Sequence, residues 1–367
     1  MKESLLYATK SRSTIEPAKL NIKHARVRLA LAFALTVLYL LWHVAGLSNK
    51  SRNFPSLDHS TPPLPCHVLP EASETLVVFR TGSTELASRL PTHSTSLRCF
   101  PNYLIFSDVE EEYHDEHIFD ALEDVSPNIQ ETHPDFELHR RLRQAGRAAP
   151  NSTELAGSPD KYASNTGKSE ISGWKLDKWK FLPILNKTLH QHPNMKWYVF
   201  TEADGFLLSS TLHQYLATLD SKQPVYAGKP MQIGSDVFAH GGSGFVVSQP
   251  AMWKLVNYYT AHKTAIEAIT NSHWAGDCVL GKTFKNAGVP LTYAWPAFQS
   301  DYPGLVEYSR ADARPQSEKM RVWCTTPVSY HRMSAAQVEE MWNYEQEWSA
   351  RRDPVIIENI LYSMECS

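Results

Sequence analysis

The sequence predicts an α/β fold: a mostly parallel central sheet flanked by helices, behind a single N-terminal transmembrane helix. Three observations carry that expectation. Short apolar runs rich in β-branched or aromatic residues, Leu76 to Phe79, Tyr103 to Phe106 and Trp197 to Phe200, each stop at a polar turn, as buried parallel strands do. Segments of helical period alternate with them. Leu29 to Leu47 contains no Asp, Glu, Lys or Arg, and at about 1.5 Å per residue it reaches about 28 Å, close to a hydrocarbon core of about 30 Å.

In chain order, residues 1–28 form a polar tail. Lys19, Lys23, Arg26 and Arg28 precede the apolar run, against Lys50 and Arg52 after it. That bias predicts a cytoplasmic N-terminus and a type II anchor over 29–47. The remainder then lies in a lumen that permits disulfides and N-glycans, with acceptor sequons at Asn151-Ser-Thr153 and Asn186-Lys-Thr188. Residues 48–70, rich in Ser and Pro and without period, read as a semi-extended stem. The main domain is expected over 71–350, with the polar stretch 131–173 as a long, partly mobile insertion and 351–367 as a C-terminal tail.

Within the domain, Leu176, Trp179, Leu182, Leu185 and Leu189 recur at three- and four-residue steps and predict an amphipathic helix that Pro183 kinks. Trp197 to Phe200 follows as a strand running into Thr201-Glu-Ala-Asp204. A helix from Ser210 to Leu219, a strand from Val225 to Ala227, a turn at Gly241-Gly-Ser-Gly244 and a strand from Phe245 to Val247 come next. Ser248 opens a helix. Asp277 to Ala287 reads as another, with Gly288 in the C-cap position.

Composition removes several function classes. With 36 Lys+Arg against 39 Asp+Glu and a net charge of −3, the chain lacks the electrostatic footprint of a nucleic-acid binder. A mean hydropathy of −0.37 excludes a polytopic membrane protein. Five cysteines without C-x-x-C spacing argue against a cysteine-rich zinc site. Neither a G-x-S-x-G elbow nor an H-E-x-x-H motif is present to suggest a hydrolase.

In a parallel α/β sheet, ligands gather beyond the C-terminal ends of the strands. Glu202-Ala203-Asp204 lies there, and two carboxylates in such a loop present oxygens to a hard divalent cation and, through it, to a diphosphate. An isolated acidic turn would read the same way.

The segment KWYVFTEADGFLLSSTLHQYLATLDSKQPVYAGKP, followed by HGGSGFVVSQPAMWKL, resembles the fringe and core 1 β1,3-galactosyltransferase branch of glycosyltransferase family 31. There an aromatic strand leads into a three-aspartate DxD motif, a strand ending in Tyr-x-Gly, then Gly-Gly-Ala-Gly-Tyr and a helix. Trp197, Asp204, Tyr226-Ala-Gly228 and Gly241-Gly-Ser-Gly-Phe245 occupy the matching places. Gly276-Asp-Cys-Val-Leu-Gly281 resembles the family's acidic Glu-Asp-Val-x-x-Gly segment, and Ser329-Tyr-His331 its late Phe-His element. The resemblance runs from about Leu76 to Met341. It implies a GT-A (Rossmann-like) fold and an inverting transfer, from a UDP-sugar with Mn²⁺, of a hexose or N-acetylhexosamine to a glycan or glycoprotein acceptor. A β1,3-linkage and a Golgi membrane location, with the catalytic domain lumenal, go with it. The other reading is a non-catalytic fringe-like lumenal chaperone or glycan-binding protein.

Residue by residue, the resemblance implies that Asp204 binds Mn²⁺ with His331 and that Asp277 is the catalytic base; Glu202, two residues before Asp204, is expected as a cofactor-binding carboxylate. The middle acid of the DxD motif is replaced by Ala203. Gly241, Gly242 and Gly244 would let the backbone approach the sugar nucleotide or the acceptor closely, or form an open tight turn. Thr81, Gly82 and Asp108, at the ends of the first two strands, are placed to meet uridine and ribose. Lys178 reads as a diphosphate contact or as part of a solvated helix face. Trp274 and Trp295 read as sugar-stacking or buried aromatics. Cys66 with Cys99 and Cys278 with Cys324 is one lumenal pairing of the three that four cysteines allow, Cys366 adds others, and a Cys278–Cys324 bridge is expected to tie the Asp277 segment to the strand that delivers His331.

Overall fold

The structure is a computed structural model and describes residues 70–151, 154–155, 172–309, 322 and 325–350. The chain divides into two units, 1–63 and 64–367, and all described residues belong to the second. The tail (1–28), the anchor (29–47), the stem (48–70) except Pro70, and the terminal segment 351–367 lie outside the described residues, as do Cys66, Cys324 and Cys366. Among the described residues no helix is long and apolar enough to cross a membrane.

One eight-stranded sheet organises the domain. Its strands are β1 (Thr75–Arg80), β2 (Tyr103–Ser107), β3 (Glu111–Tyr113), β4 (Glu116–Asp120), β5 (Trp197–Glu202), β7 (Tyr226–Gly228), β10 (Phe245–Ser248) and β11 (Leu291–Tyr293), with β8 (Pro230–Ile233) and β9 (Asp236–Ala239) as a separate antiparallel pair outside it and β6 (Phe206–Leu207) and β12 (Ser329–Tyr330) as another. The order across the sheet is β11-β7-β10-β5-β1-β2-β4-β3. The centre, β5-β1-β2-β4, is parallel, whereas β10 runs antiparallel to both of its neighbours and β3 is an antiparallel edge. The predicted mixed α/β architecture is therefore what forms. All six residues of β1 are buried, because a central parallel strand is covered on both faces.

Alternation along the strands feeds two cores. Leu76, Val78, Tyr198, Phe200, Phe245 and Val247 point to one face, where α4 (Ser172–Gln191), α6 (Gln249–Ser272) and α7 (Gly276–Asn286) supply Leu182, Leu185, Met252, Leu255, Leu280 and Phe284. Val77, Phe79, Val199 and Val246 point to the other, against α1 (Leu86–Leu97) and α5 (Ser209–Ala217). Each such fully buried side chain is worth roughly 1.5–3 kcal/mol relative to exposure. Pro183 lies inside one continuous α4. The departure from helical geometry falls elsewhere, at His262 in α6.

Residues 131–151 correct the expectation of a mobile insertion. Pro127–Thr132 (α2) and Glu137–Ala145 (α3) are helical, and Phe136, Leu138 and Leu142 are buried with Leu176 and Trp179 of α4. Leu138 and Leu142 stand four apart on an otherwise Arg-rich helix, so one narrow apolar stripe suffices to dock it. Residues 156–171 of the same stretch are outside the described residues.

Candidate active site

The C-terminal ends of β1, β2 and β5 carry a chain of alternating charges. Arg80 and Glu202, the last residues of β1 and β5, are register partners and form an ion pair. Asp177 of α4 holds the other side of the guanidinium at 2.6 Å. Three residues along the helix, Lys180 is buried, with its Nζ 2.8 Å from Asp108 Oδ1 and donating to the Thr81 carbonyl at 2.9 Å. Arg80 also lies over the Phe181 ring, 3.9 Å from its centroid.

Beyond the end of β5 the chain turns through Ala203 and Asp204 into β6 (Phe206–Leu207), which pairs antiparallel with β12 (Ser329–Tyr330). That two-residue pairing brings His331 back to Asp204: Nε2 and Oδ1 are 3.2 Å apart. Met333 N–H also donates to the Asp204 carbonyl at 2.9 Å. His331 Nδ1 lies 3.2 Å from the Ser300 carbonyl, which takes its proton and leaves Nε2 as the atom that faces the acids. Glu202, Asp204 and His331 each offer one donor atom, all within 4.8 Å of one another. Two carboxylate oxygens and an imidazole nitrogen suit a divalent cation.

Glycine makes room for this cluster. A Cβ on Gly242 would lie 2.2 Å from His331 Nε2, and one on Gly241 would lie 2.9 Å from Phe181 Cζ and 3.2 Å from Glu202 Oε1. Gly244 takes φ +75°, in the left-handed region. From the other side, Gly241 N–H donates to Asp277 Oδ2 at 2.9 Å, while Asp277 Oδ1 accepts from Cys278 N–H at 2.9 Å. Asp277 thus sits in the first turn of α7 and abuts the same glycine pair that His331 and Glu202 abut.

Electrostatics follow from burial and pairing. Burial raises the Asp204 carboxyl, but the facing His331 outweighs it, and the net shift is downward. His331 is shifted upward, the acids overcoming the burial that disfavours its charge. Burial holds Asp277 above the usual carboxylate value, against the two backbone N–H groups that lower it. Glu202 is also raised by burial, with Arg80 opposing.

The expected residues divide clearly. Asp204, His331, Glu202, Gly241, Gly242 and Asp277 converge. Asp108 is fully buried, with Oδ1 on Lys180 and Oδ2 accepting from Ser83 N–H at 2.7 Å, so it braces the β1 and β2 ends rather than facing outward. Thr81 and Gly82 form the turn beside it: both are buried, and Gly82 accepts from the N–H groups of Glu85 and Leu86. Lys178 points away, paired with Asp135 at 2.9 Å and donating to the Asn271 carbonyl. Cys278 is a buried free thiol packed with Phe238 and Ala275, which overturns the expected Cys278–Cys324 bridge. The other expected pair, Cys66–Cys99, has one member outside the described residues.

Three contributors escaped the sequence reading: Arg80, Lys180 and His93. His93 of α1 is buried and sits 2.9 Å from the Ala203 carbonyl, pinning the turn between the two acids from beneath. A charge ending an all-apolar strand was a usable signal for Arg80, since such a group needs a partner. Helix phase was the signal for Lys180, three residues from Asp177. Nothing local announces His93.

The profile of a family described as Fringe-like matches residues 102–365. Among solved structures, a glycosyltransferase involved in the glycosylation of the major capsid of PBCV-1 is similar, with 10% sequence identity and a TM-score of 0.32, over 73% of this chain and 99% of that one.

Proposed function

Because the chain belongs to the Fringe-like family, a family of glycosyltransferases, we propose that it transfers a hexose or N-acetylhexosamine from a UDP-sugar to a glycan or glycoprotein acceptor. The transfer inverts the anomeric centre and makes a β1,3-linkage. The observation that carries this reading is the convergence of Glu202, Asp204 and His331 within 4.8 Å, with Asp277 held on the other side of Gly241 and Gly242.

Asp204 and His331 would hold Mn²⁺, with Glu202 beside them partly neutralised by Arg80. When bound, the cation supplies positive charge against the diphosphate leaving group. Asp277 takes the proton of the acceptor hydroxyl as its oxygen bonds to the anomeric carbon. The bond from that carbon to the UDP oxygen breaks on the opposite face, which gives inversion. UDP leaves with the electron pair, and the proton rests on Asp277. Burial makes that carboxylate a better base, and its two backbone N–H partners fix its plane. On this reading the run 29–47 anchors the protein in the Golgi membrane with the domain in the lumen, supported by its length and basic flank.

Incubating the protein with UDP-galactose, UDP-glucose, UDP-N-acetylglucosamine or UDP-N-acetylgalactosamine, with Mn²⁺ or with EDTA, tests the function. Release of UDP from at least one donor, abolished by EDTA, is the expected result. Failure to bind or turn over any of them would favour the non-catalytic chaperone or glycan-binding reading.

A further inference from the structure

Trp274 is 55% exposed, although the residues that follow it, Ala275, Gly276 and Cys278, are buried. Its indole is not isolated. The Trp174 ring lies within 15° of parallel at 6.5 Å between centroids, and the His273 ring within 15° at 6.2 Å. Ala275 N–H donates to His273 Nδ1 at 3.0 Å, which fixes the imidazole against its own turn. Three rings of one orientation thus gather at the start of α4 and α7.

Their position relates them to the acids. Trp274 stands three residues before Asp277, and Trp174 stands three before Asp177, the partner of Arg80, on the same face of α4. The two helix starts are in backbone contact: a Cβ on Gly276 would lie 2.5 Å from Lys178 Cα. The aromatic group is therefore fixed relative to Asp277, the carboxylate assigned to the acceptor, through the first turn of α7 and its contact with α4.

We propose that Trp274, backed by Trp174 and His273, is the platform on which a pyranose ring of the acceptor glycan lays its apolar C–H face, holding the reactive hydroxyl toward Asp277. This rests on the glycosyltransferase reading above. A rigid indole offers a large, flat, amphipathic surface at small entropic cost. The platform binds sugar without contributing to the metal cluster, and Trp274 is an acceptor-positioning residue.

The test uses full-length protein in detergent, as wild type, Trp274→Ala and Trp274→Phe, with unchanged thermal melting as the folding control. In transfer assays, Trp274→Ala is expected to raise the acceptor KM by about 10- to 100-fold, with donor KM and Mn²⁺-dependent UDP binding within about twofold of wild type. Trp274→Phe should recover most of the loss. An unchanged acceptor KM, or a raised donor KM in its place, would overturn the proposal, the second outcome assigning the platform to the nucleobase. A second arm needs no donor: saturation-transfer NMR with methyl β-galactoside, methyl β-N-acetylglucosaminide and methyl α-mannoside. Ring C–H signals of at least one glycoside should appear with wild type and disappear with Trp274→Ala. Their absence, or persistence in the variant, sinks the platform even if UDP turnover is found; their presence without UDP turnover sinks the transferase reading alone.

Discussion

Arg80 and Glu202 end adjacent parallel strands in direct register and close an ion pair there, while Asp177 and Lys180 of α4 continue the alternation of charge to Asp108. A buried charge left alone costs far more than its pairing gains. Lys180→Met strands a fully buried Asp108 and should cost about 3–5 kcal/mol of stability in chemical denaturation. Arg80→Met should cost less, about 2–3 kcal/mol, because Asp177 is 37% exposed and water screens it. An equal loss from both would show that solvent does not relieve Asp177.

Gly242→Ala places a methyl where the His331 imidazole stands. The ring is held on one side by Ser300 and cannot keep Nε2 on Asp204 with that carbon present. The expected outcome is about a 10- to 100-fold loss of Mn²⁺ affinity, the scale seen when a ligand loses its orientation. Calorimetric titration of Mn²⁺ in the presence of UDP measures it. Unchanged affinity would remove His331 from the ligand set.

Legibility followed locality. The apolar runs ending at Phe79, Phe106 and Phe200 were readable because full burial of a parallel strand leaves such a run unbroken. The glycine turn was readable because Gly241, Gly242 and Gly244 lie within four residues. Lys178 and Lys180 are alike in composition and differ in the partner each meets: Lys180 reaches Asp108 and Asp177 beside the strand ends, and Lys178 turns toward Asp135. The α3 helix was hidden by its three arginines, since two leucines and Phe136 give little signal by composition. His93 and Ser300 act through backbone carbonyls far along the chain, contacts that no spacing encodes.

Cys278 should remain a thiol in the mature protein. Its sulfur is buried and free, and burial pushes its pKa up to about 11, so it is a poor nucleophile in the folded state. Iodoacetamide should leave it untouched under native conditions and label it fully in denaturant without reductant, read by peptide mass mapping. Recovery of Cys278 in a disulfide-linked peptide would contradict the structure.

Acid should weaken the fold through His93. Burial pushes its pKa from 6.5 down to about 4, with the Ala203 carbonyl opposing. The unfolded chain binds this proton near pH 6.5 and the folded chain only near 4, so the stability is complete above about 6.5 and is lost as pH falls between the two. The loss from this group reaches about 3 kcal/mol. His93→Gln keeps a donor for the Ala203 carbonyl without the titration, so its stability at pH 5 should fall less from the pH 7.5 value than that of wild type. Parallel curves for the two proteins would place the acid sensitivity elsewhere, His240 being another imidazole whose pKa is depressed by partial burial.

The division of labour between Asp204 and Asp277 is open to separation by binding. Asp204 faces His331 at 3.2 Å and is held ionised by it, whereas Asp277 is raised by burial and tied to the glycine turn. Asp204→Ala and His331→Ala should both abolish Mn²⁺-dependent UDP binding, because each removes one donor from the three-residue cluster. Asp277→Asn should bind UDP as wild type does, since its carboxylate is not in that cluster, and transfer should slow by roughly 10²- to 10⁴-fold, as for loss of a general base. The amide keeps an oxygen for one backbone N–H but turns a donor toward the other, so a small stability loss of about 1–2 kcal/mol is expected beside the kinetic one. Calorimetry of UDP binding and single-turnover transfer read the two effects independently. Loss of UDP binding in Asp277→Asn, or its survival in Asp204→Ala, would reverse the assigned roles.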